Sequence, residues 1–394
     1  MQDTPRSNRI HIGLFGKRNS GKSSLVNALT NQEAALVSDI AGTTTDPVYK
    51  PMEIHGIGPC VFIDTAGLDD EGQLGELRIK QTLRAMEKTD IALMVCTDEN
   101  ISQELEWSNM LKKKDVPVIW ILNKADLLEN PRQTARSIEK TCSQVPLIVS
   151  AKDKTGMEDI RRSIIGKLPD DTMEKSIVGN LVSSGDTVML VMPQDIQAPK
   201  GRLILPQVQT IRDLLDRKCL VMSCTTDNIE AMLKALSEPP KLIITDSQVF
   251  KTVYEKKPEN SRLTSFSVLF ARYKGDIDHF IEGANAIGQL TETSRVLIAE
   301  ACTHAPLTED IGRIKIPNML RKHIGNSLQI DHVSGTDFPE DLSGYDLVIH
   351  CGACMFNRKY VMSRVSQSEK QHVPITNYGI TIAYLNGILD KIDY

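Results

Sequence analysis

The chain has 394 residues, more than a single hydrophobic core normally supports, so several domains are expected. Its apolar fraction of 41% and charged fraction of 25% are those of a globular protein, which argues against a disordered or fibrous chain. A formal net charge of -5 argues against a dedicated nucleic-acid binder, and no window reaches the about 18 apolar residues of a membrane span.

The N-terminal "MQDTPRSNRIHIGLFG" lacks the basic start and apolar stretch of a secretory signal, so a cytoplasmic location is expected. Eight cysteines in that setting are not expected to form a disulfide framework. Cys60, Cys96, Cys142, Cys219 and Cys224 lie in or beside apolar runs and read as buried, inert thiols. Cys302, Cys351 and Cys354 flank polar or glycine-rich turns instead.

From Ile10 to about Leu168, short apolar runs alternate with helical periods. "IHIGLFG", "PCVFIDTAG", "IALMVC", "VPVIWILNKAD" and "VPLIVSA" suit parallel strands covered on both faces by helices. The polar "LPDDTMEKS" (Leu168 to Ser176) reads as a linker. "DTVMLVMP", "CLVMSC" and "PKLIITD" then alternate with helical segments near Gln207 to Arg217, Asn228 to Ser237 and Gln248 to Lys256. A third set follows, "SRVLIAEAC", "SLQIDHV", "YDLVIHC" and "VPITNYG". The expected fold is α/β, with one domain at residues 1–172 and two smaller α/β units with mainly parallel sheets at 173–269 and 270–394.

"GKRNSGKS", Gly16 to Ser23, matches the phosphate-loop pattern between the strand "HIGLF" and the helical "SLVNALT". In such a loop, backbone N–H groups and the helix N-terminus, here from Ser20, Gly21, Lys22, Ser23 and Ser24, converge on phosphates. Lys22 is expected to reach the terminal phosphates, and the Ser23 hydroxyl to sit on magnesium. "DTAG" places Asp64 at a strand end, where its carboxylate can reach the same Mg2+, and Gly67 where its N–H can meet the third phosphate.

"NKAD" resembles the guanine-reading motif of GTPases. On that likeness Asp126 accepts from the guanine ring, Asn123 braces the loop, and Lys124 belongs to the same base-binding stretch. "SAK", with Ser150 and Ala151, resembles the loop that closes the base pocket. In order and spacing these four pieces resemble a Ras-like P-loop GTPase domain, which implies GTP hydrolysis by residues 1–172.

"AGTTTD" resembles the first switch of the TrmE/Era-like GTPases, Gly-Thr-Thr-Arg-Asp, with Thr45 here where their arginine stands. That resemblance implies that Thr44 completes magnesium coordination, and that Asn19 matches the loop asparagine that binds K+ in potassium-activated members. Leu68 follows "DTAG" and cannot orient water as the Ras glutamine does, so hydrolysis is expected to be slow and potassium-stimulated. Lys22, Thr44 and Gly67 are the candidate catalytic positions. Asp69 and Asp70 read as solvated acids, with water placement as the alternative.

Cys302 and His304 in "ACTHAP" follow one apolar run, and "HCGAC" (His350 to Cys354) follows another. Loops at the carboxyl ends of neighbouring parallel strands face one crevice, so the two could converge. The pattern is Cys-x-His, 45 intervening residues, then His-Cys-x-x-Cys. Zinc would take Cys302, Cys351, Cys354 and either His304 or His350; a 4Fe-4S cluster would take the three thiolates and leave one iron to a weaker ligand. Spacing alone leaves both open.

"EACTHAP", "EDIGRIKIPNMLRK", "GYDLVIHCGAC" and "VPITNYGITIAYLNGIL" resemble the cluster-binding domain of the FeFe-hydrogenase maturation GTPase family (HydF), downstream of a TrmE/Era-like GTPase domain. The resemblance implies a 4Fe-4S cluster on Cys302, Cys351 and Cys354, with His304 and His350 as ligands or supporting groups. It implies a middle dimerisation domain and hence a homodimer. The implied role is a scaffold and carrier for a transient di-iron precursor of the hydrogenase active site. Its partners would be radical-SAM maturases and the immature hydrogenase, with no nucleic acid or membrane. The competing readings are a TrmE/Era-like GTPase in ribosome assembly or tRNA modification, and a zinc-stapled regulatory GTPase. Against the former, no Gly-x-x-Gly or basic cluster follows Lys167.

Overall fold

A computed structural model describes residues 9–30, 48–54, 58–65, 73–168, 176–193, 203–301, 311–335, 337–353 and 356–394. Thr44, Gly67, Cys302, His304 and Cys354 lie outside these residues, as do Thr45, Leu68, Asp69 and Asp70. The chain forms two compact units, Met1–Met173 and Glu174–Tyr394.

In the first unit the order is β1 (Ile10–Phe15), α1 (Lys22–Thr30), β2 (Val48–Ile54), β3 (Gly58–Asp64), α2 (Gln73–Met86), β4 (Ile91–Cys96), α3 (Ser102–Lys113), β5 (Val118–Leu122), α4 (Pro131–Cys142), β6 (Leu147–Ile148) and α5 (Met157–Lys167). They build one six-stranded sheet, β2-β3-β1-β4-β5-β6. Strands β1, β4 and β5 are buried at every position, because helices cover both faces and no polar alternation is needed. Two core clusters, one on each face of the sheet, hold Leu25, Val26 and Ile160 on one side and Trp107, Leu111 and Ile138 on the other.

All pairings in this sheet are parallel except β2 with β3. Strand β2, "VYKPMEI", was not evident in the sequence: Pro51 and the charges mask its apolar pattern. An edge strand tolerates a residue with no N–H to give, so the proline is compatible with pairing on one side.

The second unit begins with β7 (Thr187–Val191), α6 (Leu205–Asp216), β8 (Leu220–Cys224), α7 (Ile229–Ala235), β9 (Leu242–Thr245), α8 (Phe250–Lys256), β10 (Arg262–Ser265) and α9 (Phe266–Lys274). It continues with α10 (Ile277–Asn285), β11 (Arg295–Glu300), α11 (Ile316–Ile324), β12 (Gln329–Ser334), β13 (Leu347–His350), α12 (Arg358–Lys370), β14 (Ile375–Asn377) and α13 (Tyr378–Leu385). Two four-stranded parallel sheets result, β10-β9-β7-β8 and β12-β11-β13-β14.

A single core cluster joins them, running from Met189, Ile243 and Leu263 of the first sheet through Phe280 and Ala284 to Ile298, Ile349 and Ile375 of the second. Position 270, where the sequence division separates these halves, lies inside α9, and that helix ends at Gly275. Helix α9 begins at a Ser265 cap accepting from the Val268 N–H, and its buried Val268 and Ala271 belong to the shared core.

Among the described residues no helix is long and apolar enough to cross a membrane.

Candidate nucleotide and cluster sites

The phosphate loop runs from the end of β1 into α1, so its N–H groups gather at a helix N-terminus. Gly16 sits at φ +146°, and a Cβ there would lie 2.1 Å from the Val95 carbonyl oxygen. Gly21 sits at φ +86°, and a Cβ there would lie 2.4 Å from Asn123 Nδ2. Both positions therefore require glycine for conformation and for space.

Lys22 is buried, and its Nζ donates to the carbonyls of Gly16 and Lys17, each at 2.8 Å. Those bonds hold the ammonium across the mouth of the loop. Asn19 is exposed at φ +61°, a left-handed conformation that asparagine tolerates better than most residues. Ser20 is buried and Ser24 half-buried at the start of the helix.

Ser23 Oγ donates to Asp64 Oδ2 at 2.6 Å, although the two stand 41 residues apart. The pairing follows from β1 and β3 being parallel neighbours, with Leu14 opposite Asp64. A hydroxyl and a carboxylate so close, facing a phosphate loop, are a fitting pair of oxygen donors for a magnesium ion.

Asn123 is 1% exposed and joins three loops: Nδ2 donates to the Ser20 carbonyl at 2.9 Å, and Oδ1 accepts from the Ala151 N–H at 3.1 Å. Lys124 takes a left-handed φ of +58°, which turns the chain so that Asp126 faces the closing loop. Asp126 Oδ1 accepts from Ser150 Oγ at 2.7 Å. The same hydroxyl oxygen accepts from the Asp153 N–H at 3.1 Å and lies 3.2 Å from Asp153 Oδ2, the longer alternative for its single proton. Asp153 had no motif to announce it. The phosphate loop, Asp64, "NKAD" and "SA" are thereby brought to one end of the parallel strands, where ligands of open α/β sheets bind.

Lys17 adds a tether that the motif does not predict. Its Nζ donates to the Asn100 carbonyl and lies 3.6 Å from Glu104 Oε2 at the start of α3. Glu104 is 1% exposed, and burial pushes its carboxyl above the usual carboxylate range against the opposing pull of Lys17.

In the second unit, β11 and β13 are parallel neighbours with Ala299 opposite His350. The Cys351 N–H donates to the Ala299 carbonyl at 2.9 Å, and the Ala301 N–H donates to Cys351 Sγ at 3.0 Å. Ala301 is the residue before Cys302. Nearby, Arg313 Nη2 meets Glu300 Oε2 at 3.0 Å, and Ser334 Oγ donates to the same oxygen at 3.1 Å.

The turn after Cys351 is strained at Ala353, φ +46°. It is held by buried Lys274, whose Nζ donates to the carbonyls of Ala353 at 3.1 Å and Phe356 at 2.8 Å, and by the Phe356 N–H donating to Ala353.

His350 is 1% exposed with both ring nitrogens engaged. Nε2 lies 2.8 Å from Arg364 Nη1, and Nδ1 lies 2.7 Å from the Cys351 carbonyl. A guanidinium only donates, so Nε2 accepts and Nδ1 carries the proton. Burial first, and the Arg364 charge second, push the imidazole down to about 3. Among the described residues no group of three or more metal-binding side chains gathers, and three of the five candidate ligands, Cys302, His304 and Cys354, lie outside them. Half-buried Cys351, its sulfur already accepting an N–H at a strand end, suits a thiolate ligand of an iron–sulfur group. By contrast, burial pushes the Cys60 and Cys96 thiols to about 12 and raises those of Cys142, Cys219 and Cys224.

Three family models match in succession: "50S ribosome-binding GTPase" over residues 11–124, "Hydrogen maturase F dimerization domain" over 177–275 and "Hydrogen maturase F tetramerization domain" over 278–392. GTPase Der of Wolinella succinogenes is 33% identical over 186 residues, 43% of this chain and 39% of its own length. The tRNA modification GTPase MnmE of Francisella tularensis subsp. novicida is 33% identical over 179 residues, 43% of this chain and 37% of its own. The chain thus spans about two fifths of the length of these relatives. A solved structure of Aquifex aeolicus Era aligns at 18% identity and a TM-score of 0.37, covering 58% of this chain and 98% of that one. The N-terminal unit is a P-loop GTPase domain followed by α/β units with parallel sheets. With both hydrogen maturase F domains following a GTPase domain in one chain, the protein belongs to the FeFe-hydrogenase maturation GTPase family.

Proposed function

We propose that this protein is a GTP-hydrolysing scaffold that holds a 4Fe-4S cluster and assembles and delivers the di-iron precursor of the FeFe-hydrogenase active site. The observation that carries the cluster reading is the Ala301 N–H to Cys351 Sγ bond, which ties the residue before Cys302 to the first cysteine of "HCGAC". Cys302, Cys351 and Cys354 would hold the cluster. With three protein thiolates it would offer one iron for a bridging ligand, suited to temporary docking of a metal fragment. His350 spends both nitrogens inside the protein and serves by orienting the Cys351 peptide. His304 remains a candidate ligand or support.

At the nucleotide site, Lys22 binds the terminal phosphates and Asp126 reads the guanine ring, while Asn123 keeps the phosphate and base loops in register. Thr44 senses the third phosphate and the Gly67 N–H meets it. Ser23, Asp64 and Thr44 would hold Mg2+, which supplies positive charge to the transferring phosphoryl group. K+ at Asn19 would add to that charge, and hydrolysis is slow because Leu68 stands where a water-orienting side chain would. Residues 1–172 act as the GTPase domain, 173–269 as the dimerisation domain and 270–394 as the cluster domain. GTP hydrolysis gates exchange between the radical-SAM maturases and the immature hydrogenase in the cytoplasm. The dimerization and tetramerization models support a homo-oligomer built at least on a dimer.

The relative named for tRNA modification matches only 43% of this chain and the ribosome-binding GTPase model only residues 11–124, so a translation role has no support beyond the GTPase domain. The test is anaerobic purification with iron and zinc assays and EPR of the reduced protein, followed by activation of hydrogenase lacking its di-iron unit. Three to four irons per chain would support the reading (about four per cluster). A colourless protein with stoichiometric zinc would overturn it. Alanine at Cys302, Cys351 or Cys354 is expected to abolish the cluster and leave GTP hydrolysis intact.

A further inference from the structure

Arg364, on α12, is 2% exposed, and its side chain carries a guanidinium, a cationic group that donates but does not accept hydrogen bonds. Burying such a charge is costly unless an anion lies close by, and a carboxylate is the usual partner. Here every described partner is neutral. Nη1 donates to His350 Nε2 at 2.8 Å, and Nη2 donates to the Gly335 carbonyl at 2.6 Å and to the Tyr360 hydroxyl. The guanidinium carbon lies 4.7 Å from the Phe338 ring centre and 4.5 Å from that of Tyr360. If Arg364 served only to bridge backbone and hydroxyl groups, a neutral amide would do so without the desolvation cost.

The network leads in one direction. His350 accepts from Arg364 on one nitrogen and donates to the Cys351 carbonyl from the other, at 2.7 Å. The Cys351 N–H is fixed on the Ala299 carbonyl and its sulfur on the Ala301 N–H. A permanent cation is therefore held one imidazole away from a cysteine whose peptide and sulfur are both anchored.

We propose that Arg364 positions Cys351 through His350 and supplies the buried positive charge that balances an anionic iron–sulfur group on that cysteine. This rests on the cluster reading given above. A cation at that place favours the more negative, reduced state of the group and so raises its reduction potential. The two-pronged fork also fixes the imidazole, which a single ammonium cannot do while also reaching Gly335.

The test compares the full-length wild type with Arg364→Gln, which keeps donors but loses the charge, and Arg364→Lys, which keeps the charge but loses the fork. After anaerobic reconstitution, iron per chain, the EPR spectrum, the midpoint potential and the rate of iron loss to a chelator are measured, with thermal melts as the folding control. Arg364→Gln is expected to move the midpoint to a more negative value. Arg364→Lys is expected to keep the wild-type midpoint and lose iron several-fold faster. An unchanged midpoint in Arg364→Gln, unchanged iron retention in Arg364→Lys, or loss of a cooperative melt in both would overturn the proposal. A wild-type chain that takes up no iron would defeat the cluster reading instead.

Discussion

Asn123 Nδ2 donates to the Ser20 carbonyl at 2.9 Å, spanning 103 residues of sequence. The same amide accepts from the Ala151 N–H, so one buried side chain sets the spacing of the phosphate loop, the Asn123–Asp126 loop and the Ser150–Ala151 loop. Asn123→Ala would leave a buried carbonyl and an N–H without their partner, a loss of about 1–3 kcal/mol. The expected outcome is a lower melting temperature of the GTPase unit and a loss of guanine-nucleotide affinity of at least tenfold. Titration with a fluorescent guanine nucleotide and a thermal melt measure both; wild-type affinity in the variant would refute this role for the amide.

Gly21→Ala attacks the same contact from the other side. The new methyl would stand 2.4 Å from Asn123 Nδ2, and the backbone would be held at φ +86°. Nucleotide binding is expected to be lost while the remainder of the unit keeps its far-UV circular dichroism. Retained affinity would mean that the loop can shift away from Asn123.

Ser23 and Asp64 lie 2.6 Å apart as adjacent oxygen donors. In the wild type, nucleotide affinity is expected to fall strongly when EDTA replaces Mg2+. In Ser23→Ala the ratio between the two conditions should collapse towards one. A variant as magnesium-dependent as the wild type would remove Ser23 from the proposed donor set.

Glu104 carries a pH prediction. Burial raises its folded carboxyl above the ordinary value of 4.5. Between that value and the raised one the folded state binds more protons than the unfolded state, so the carboxyl's contribution to stability is full below the window and is lost as pH rises through it. The difference in melting temperature between wild type and Glu104→Gln is expected to drift in favour of the variant as pH rises through this window, then level off. A difference independent of pH would show that Lys17, 3.6 Å away, offsets the burial fully.

The alkali-cation proposal concerns exposed Asn19. GTP hydrolysis is expected to be several-fold faster in KCl than in NaCl at equal ionic strength, and Asn19→Ala should remove most of that difference. Equal wild-type rates in the two salts would sink the idea.

The fold class was legible from local signals. Continuous apolar runs such as "IALMVC" and "VIWIL" mark strands covered on both faces, and glycine-bearing motifs at their ends mark the loops that meet ligands. Such signals are strong because burial and left-handed backbone restrict which residues can stand at a position. Strands β2 and β10 were not legible. "VYKPMEI" lies at an edge and carries a proline, and "RLTS" spans only four residues, so neither offers an apolar pattern long enough to register.

Sequence by itself determined the P-loop GTPase fold and the succession of α/β units, since apolar runs and glycine-bearing loops are local signals. Only the tertiary structure decided what joins distant loops. Asn123 reaches Ser20, Glu300 pairs with Arg313 across the segment 302–310, and Arg364 meets His350 from the following helix. No spacing rule announces such contacts. They arise because parallel strands bring their carboxyl ends to one edge, where buried polar groups must find partners wherever the packed chain supplies them.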